Sequence, residues 1–275
     1  MKPKLLAVVV ALVVLSAPAA LGGTASVAYP GSMAALGDSI TRGFDTCSFP
    51  YVDCPANSWS TGTNAAVQSQ YLRILAQNPS ISGHAYNDAK TGATMSDLAG
   101  QAATAVSQHV DYVTILMGAN DVCTSSVSTM TPVATVGTQL AAALTTLTSG
   151  LPNARIFVAS IPNVYNLWSI LHTNLAADTV WGFAKICQSL LAKPLSTASA
   201  DQQRRQAVYQ RTVDDNAAIQ SVCAQYPQCR YDGGATFGIA FTPSDVTTRD
   251  YFHPTVSGQA KEAAVTWAAT YAFGP

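Results

Sequence analysis

His253 follows Asp250 by three residues in the stretch RDYFHPTVSGQ (249–259), and Pro254 stands directly after it. An imidazole beside a carboxylate can move a proton, provided a third group needs one moved. The chain offers few such groups: four histidines in 275 residues, with charged side chains at 11%. A hydroxyl nucleophile is the partner that this pair would serve. The base would activate the hydroxyl, and the carboxylate would hold the imidazole in one tautomer and stabilise its cation. Acyl transfer needs one more part, preorganised N–H donors aimed at the oxyanion of the tetrahedral intermediate.

The elements that must carry such groups alternate along the chain. SMAAL (32–36) is a short apolar run that ends at Gly37. A helix is expected over 64–77, where Val67, Tyr71, Ile74 and Leu75 fall at helical spacing. HAYNDA (84–89) reads as a strand, and SDLAGQAATAVSQ (96–108) as a helix with Ser96 as its N-cap. YVTILMG (112–118) is the clearest buried strand, followed by a helix over 131–147 with Gly150 just past its end. ARIFVASI (154–161) is a further strand, and 163–229 is more helical and irregular. PTVSGQAKEAAVTWAATYA (254–272) closes the chain as a helix with Pro254 at its first position. Strands separated by helices predict an α/β fold, a parallel sheet covered on both faces. In such sheets the chemistry gathers in loops at the carboxyl ends of strands.

Three of those loops carry suitable residues. GDSI (37–40) places Ser39 after the first strand, KTGAT (90–94) places Gly92 after the second, and GAND (118–121) places Asn120 after the third. Singly, each has an ordinary reading: a turn serine, a loop glycine, a helix-capping asparagine. Together, in order, and with DYFHP (250–254) at the end, they resemble the SGNH/GDSL hydrolase family over 37–258. The resemblance implies that Ser39 is the nucleophile, His253 the general base and Asp250 its orienter. It implies an oxyanion hole from the N–H groups of Ser39 and Gly92 and the side-chain amide of Asn120. It also implies a three-layer α/β/α, flavodoxin-like fold with a central parallel sheet, and ester hydrolysis through an acyl-enzyme without a cofactor. No Gly-x-Ser-x-Gly elbow of ordinary α/β-hydrolases occurs. Pro254 should push His253 into an extended conformation, so that its ring projects from the loop.

Other reactive residues have plainer readings. Asp38 and Asp121 should bond local backbone N–H groups. His84, His109 and His172 are expected to be structural, and no cluster accompanies Asp250 and His253 as a metal site would require. The apolar segment VYNLWSILHTNLAADTVWGFA (164–184) is either core, through Leu167, Trp168, Leu171, Trp181 and Phe183, or an acyl-chain groove or lid.

The chain opens MKPKLLAVVVALVVLSAPAALGGTASVA, with two lysines, an apolar run and then small residues. This predicts a secretory signal peptide over 1–28, cleaved after Ala28 or after Ala19, and a hydrolase domain over 29–275. The apolar run is too short to span a bilayer, and no transmembrane segment is expected. Of 14 Lys and Arg against 15 Asp and Glu, two lysines fall in the leader, which leaves 12 against 15 and argues against nucleic-acid binding. Six cysteines in an exported chain predict three disulfides. The short spacings pair Cys47 with Cys54 and Cys223 with Cys229, leaving Cys123 for Cys187. The expectation is a secreted monomer acting on a small-molecule or lipid ester. A carbohydrate acetylesterase and a catalytically dead lipid- or glycan-binding module are the alternatives.

Overall fold

A computed structural model of the chain describes Met1 and residues 27–274. Almost all of the expected leader thus lies outside the described residues. Five strands form one parallel sheet: β1 (Met33–Gly37), β2 (Ala85–Asn87), β3 (Tyr112–Leu116), β4 (Arg155–Val158) and β5 (Cys229–Tyr231), in the order β2-β1-β3-β4-β5. The helices are α1 (Gln70–Leu75), α2 (Leu98–Ser107), α3 (Ala119–Val122), α4 (Val133–Gly150), α5 (Val164–Leu171), α6 (Leu175–Ala184), α7 (Gln188–Leu191), α8 (Ser199–Cys223) and α9 (Val256–Ala269). This is the flavodoxin-like order, and the three-layer expectation is met.

The layers follow from the period of two along each strand. Ala34, Leu36, Val113, Ile115, Ile156 and Val158 face one side, where they pack with Leu98 and Ala102 of α2, Leu140 and Leu144 of α4, and Ile219 of α8. Met33, Tyr112, Leu116 and Phe157 face the other, with Tyr71 and Ile74 of α1 and Ala263 of α9. Every residue of β1 and β3 is buried because helices cover both faces. A third apolar cluster, built on Val122, Leu171, Trp181, Leu190 and Val208, joins α5 to α8. The disulfides Cys47–Cys54, Cys123–Cys187 and Cys223–Cys229 pair as expected.

Several element ends differ from the sequence expectation. The helix expected over 64–77 shrinks to α1, because Gln68 takes a left-handed φ of 52° and Ser69 caps the helix by accepting from the Leu72 N–H. Ser96 is not the cap of the next helix. Thr94 forms a capping box with Asp97, which opens a 3-10 turn leading into α2. α4 runs through Gly150, where an added Cβ would meet Val106 Cγ1 at 2.5 Å; the glycine permits the close approach of α4 to α2. Pro254 lies before α9, whose N-cap is Thr255, and pairs instead with Val246 as an antiparallel bridge. Within 163–229, α8 is one 25-residue helix. Its buried face includes Arg205, Thr212, Asp215 and Asn216, so it lacks an apolar stripe.

Candidate active site

The sheet order reverses between β1 and β3, and the crevice there is where open α/β sheets bind ligands. β1 ends at Gly37, packed so closely on β3 that a Cβ would meet Leu116 O at 2.5 Å. The Gln101 side chain holds this peptide from both sides, accepting from Gly37 N (2.7 Å) and donating to Gly37 O (2.9 Å). Asp38 is fully buried and accepts the Ile40 N–H at 2.9 Å, a tight local turn that carries Ser39 between them. Burial pushes the Asp38 carboxyl up to about 6, although the Ile40 N–H and the nearby His253 pull the other way.

Ser39 Oγ lies 2.8 Å from His253 Nε2, and His253 Nδ1 lies 2.6 Å from Asp250 Oδ2. With Nδ1–H donating to Asp250, Nε2 is left to accept the Ser39 proton. The other Asp250 oxygen accepts the N–H groups of Phe252 (2.8 Å) and His253 (3.0 Å). Burial raises the Asp250 carboxyl, but the His253 hydrogen bond and charge and these two N–H groups outweigh it, and the net shift is downward. The imidazole is flanked by Phe44 (4.7 Å between ring centroids) and Phe252 (5.1 Å). The peptide after His253 is held by the Val246–Pro254 bridge, and Thr247 N–H donates to His253 O at 2.9 Å.

Gly92 and Asn120 stand in the two neighbouring loops. Gly92 has φ 79°, a conformation that glycine adopts freely. Gly118 (φ 122°) turns the chain out of β3 against Ile161, whose Cδ1 an added Cβ would meet at 2.5 Å. Asn120 Nδ2 donates one proton to Ala93 O at 2.8 Å, tying the third loop to the second, and has another to give. Among the described residues, neither the Ser39 N–H nor the Gly92 N–H donates to a protein acceptor. Asp121 departs from expectation: its Oδ2 accepts the Met95 N–H at 2.9 Å, a partner 26 residues away rather than a local one.

An apolar cleft of about 670 Å³, counting its open mouth, leads from Ser39, Asn120 and His253. Its walls include Ile40, Val164, Leu167, Ile170, Phe241 and Phe252. The 164–184 segment therefore divides its work. One face of α5 lines the cleft, while Leu171, Ala177 and Trp181 are core, and Phe183 faces solvent. His84, His109 and His172 lie outside this cleft; the His172 ring stacks on Trp168 at 4.6 Å.

Residues 33–264 match the GDSL-like lipase/acylhydrolase family. The chain belongs to that family. No curated protein matches the chain. Among solved structures, the extracellular lipase from Streptomyces rimosus is similar at 18% identity, with 87% of this chain and 99% of that one covered and a TM-score of 0.54. Phospholipase A1 from Streptomyces albidoflavus NA297 is similar at 18% identity, 88% and 100% coverage and a TM-score of 0.55. The lipase Lip_vut3 from a goat rumen metagenome has 14% identity, 87% and 97% coverage and a TM-score of 0.56. At these identities the likeness is one of fold.

This GDSL-family chain has supporting residues that its motif letters do not reveal. Arg249 Nη1 donates to Asp45 Oδ1 (3.0 Å), Asp45 O (3.1 Å) and Cys47 O (2.8 Å), and Nη2 donates to Ser48 O (3.0 Å). The planar guanidinium thereby joins the loop that follows Ser39 to the segment that carries Asp250. Gln259 of α9 works from below: its amide donates to Ile40 O (2.8 Å) and accepts from Trp59 N (2.9 Å). A polar side chain on an otherwise buried helix face was the one sequence signal for Gln101 and Gln259, and it does not name their partners.

Proposed function

We propose that the chain is a secreted serine ester hydrolase that acts on lipid esters through an acyl-enzyme. The observation that carries the reading is the continuous Ser39–His253–Asp250 hydrogen-bond chain, at 2.8 and 2.6 Å, at the head of an apolar cleft. Ser39 Oγ attacks the ester carbonyl as His253 Nε2 takes its proton, and Asp250 stabilises the imidazolium. The N–H groups of Ser39 and Gly92 and the second Asn120 amide proton receive the oxyanion. His253 then protonates the departing alcohol, and later takes a proton from the water that releases the acid.

The apolar cleft walls favour an acyl chain over an acetyl group, in keeping with the lipase and phospholipase A1 that share the fold. Export is supported by the leader pattern of residues 1–28 and by three disulfides. Among the described residues no helix is long and apolar enough to cross a membrane. A carbohydrate acetylesterase is the second reading, favoured by Asn163 and Asn166 on the cleft wall. Hydrolysis of p-nitrophenyl esters from acetate to palmitate, with Ser39→Ala as control, tests both. Serine-dependent turnover that peaks at medium or long chains is expected. A peak at acetate supports the second reading, and turnover undiminished in Ser39→Ala overturns the mechanism.

A further inference from the structure

Apart from Met1, the large apolar side chains that are exposed among the described residues are Phe49, Tyr51, Leu175, Phe183 and Leu195. They come from two segments, 47–54 and 175–195, and the leading three are well out in solvent: Phe183 at 90%, Leu175 at 72% and Phe49 at 70%. Both segments are bonded to the stretch that carries Asp250 and His253. Arg249 holds Cys47 O and Ser48 O, and Trp181 Nε1 donates to Tyr251 O at 3.0 Å. The exposed apolar groups therefore belong to two segments that are each tied to that stretch. Both segments are also clipped, one by Cys47–Cys54 and the other through Cys187 to Cys123. They are held in place with their apolar side chains outward.

The charges nearby select what could cover them. Of the four lysines among the described residues, Lys90 pairs with Asp97 and Lys261 with Asp245. Lys185 and Lys193 are exposed, have no ion pair among the described residues, and each stands two positions from an exposed apolar residue, Phe183 and Leu195. Asp53 is taken by Arg42, the adjoining Asp45 by Arg249, and Asp201, whose charge acts on Lys193, by Arg204, so the acid left within these segments is Asp178, half-buried on the first turn of α6. Apolar side chains beside unpaired ammonium groups suit a surface with hydrocarbon below and anionic groups at its boundary.

We propose that Phe49, Leu175, Phe183 and Leu195, with Lys185 and Lys193, dock the protein on anionic phospholipid surfaces. The apolar groups enter the headgroup–acyl boundary while the ammonium groups stay at phosphate level on their apolar stems. This deepens the lipid-ester reading and rests on it for its purpose, but the binding itself needs no catalysis.

The test is sedimentation of the Ser39→Ala chain with vesicles of phosphatidylcholine alone or mixed with phosphatidylglycerol. The inactive chain is expected to bind the mixed vesicles, more weakly as salt rises, and to bind phosphatidylcholine alone much less. Phe183→Ser should weaken binding about tenfold, and Lys185→Gln and Lys193→Gln about fivefold each. In the Ser39-intact chain the same three substitutions should leave p-nitrophenyl acetate turnover unchanged, which verifies that the fold is intact. Absence of sedimentation with mixed vesicles, equal sedimentation of the substituted chains, or self-association through this face in place of vesicle binding overturns the proposal. Loss of the hydrolase reading would appear separately, as turnover that does not depend on Ser39.

Discussion

Asn120 spends one amide proton on Ala93 O and keeps the other, so its two tasks can be separated by substitution. Asn120→Ala is expected to lower kcat by about 10²–10³ with little change in KM, measured on a soluble p-nitrophenyl ester. Asp250→Asn is expected to cost about 10⁴ in kcat, because an amide facing Nδ1 favours the wrong imidazole tautomer. A small loss there would move the orienting role to a backbone carbonyl. These residues were legible in sequence as candidates, Asn120 in a short motif after a strand and Asp250 through its spacing to His253. Arg249, Gln101 and Gln259 were not: their partners lie 64 to 219 residues away, and no local pattern records such a bond.

Elements decide how well those side chains are aimed. Arg249 engages one carboxylate and several carbonyls of the 45–49 loop, which a lysine cannot do with a single ammonium. Arg249→Lys is therefore expected to lower kcat more than it raises KM, and to slow labelling of Ser39 by a phosphonate ester. Retention of both rates would show that the loop holds without the clamp. At the exit of β3, Gly118→Ala forces a Cβ into Ile161 at a positive φ. It should cost about 1–3 kcal/mol in chemical denaturation and lower turnover, since the same turn carries Asn120. The strands β1 and β3 could be read from their continuous apolar runs. β5 could not, because its three residues at the sheet edge are part-exposed or, at Arg230, exposed, and α8 hides its length behind a polar buried face.

The whole molecule buries carboxyls whose burial its sequence does not announce. Burial pushes Glu262 up to about 8 and Asp215 up to about 7, as well as Asp38 up to about 6. Unfolded, these groups ionise near 4, so between about pH 4 and 8 the unfolded chain holds fewer protons than the native one and stability falls as pH rises. Glu262→Gln keeps an acceptor for the Thr236 hydroxyl, which bonds Glu262 at 2.9 Å. The variant should flatten the decline in unfolding free energy from pH 5 to 8, measured by urea titration at each pH. An unchanged slope would mean that Glu262 is ionised in the folded protein. What the sequence determined by itself was local: the alternation of strands and helices and the three loops after strands, with the cysteine spacing suggesting the disulfide pairing and a family resemblance supplying the candidate reactive residues. Those follow from periodicity, turn chemistry and motif order, which act over a few residues. Tertiary structure alone decided the hydrogen-bond distances that link Ser39 to Asp250, the division of 164–184 between cleft and core, which carboxyls are buried, and which lysines among the described residues stand outside ion pairs. These depend on groups brought together across the sheet, where burial and geometry rather than neighbouring residues set the energy.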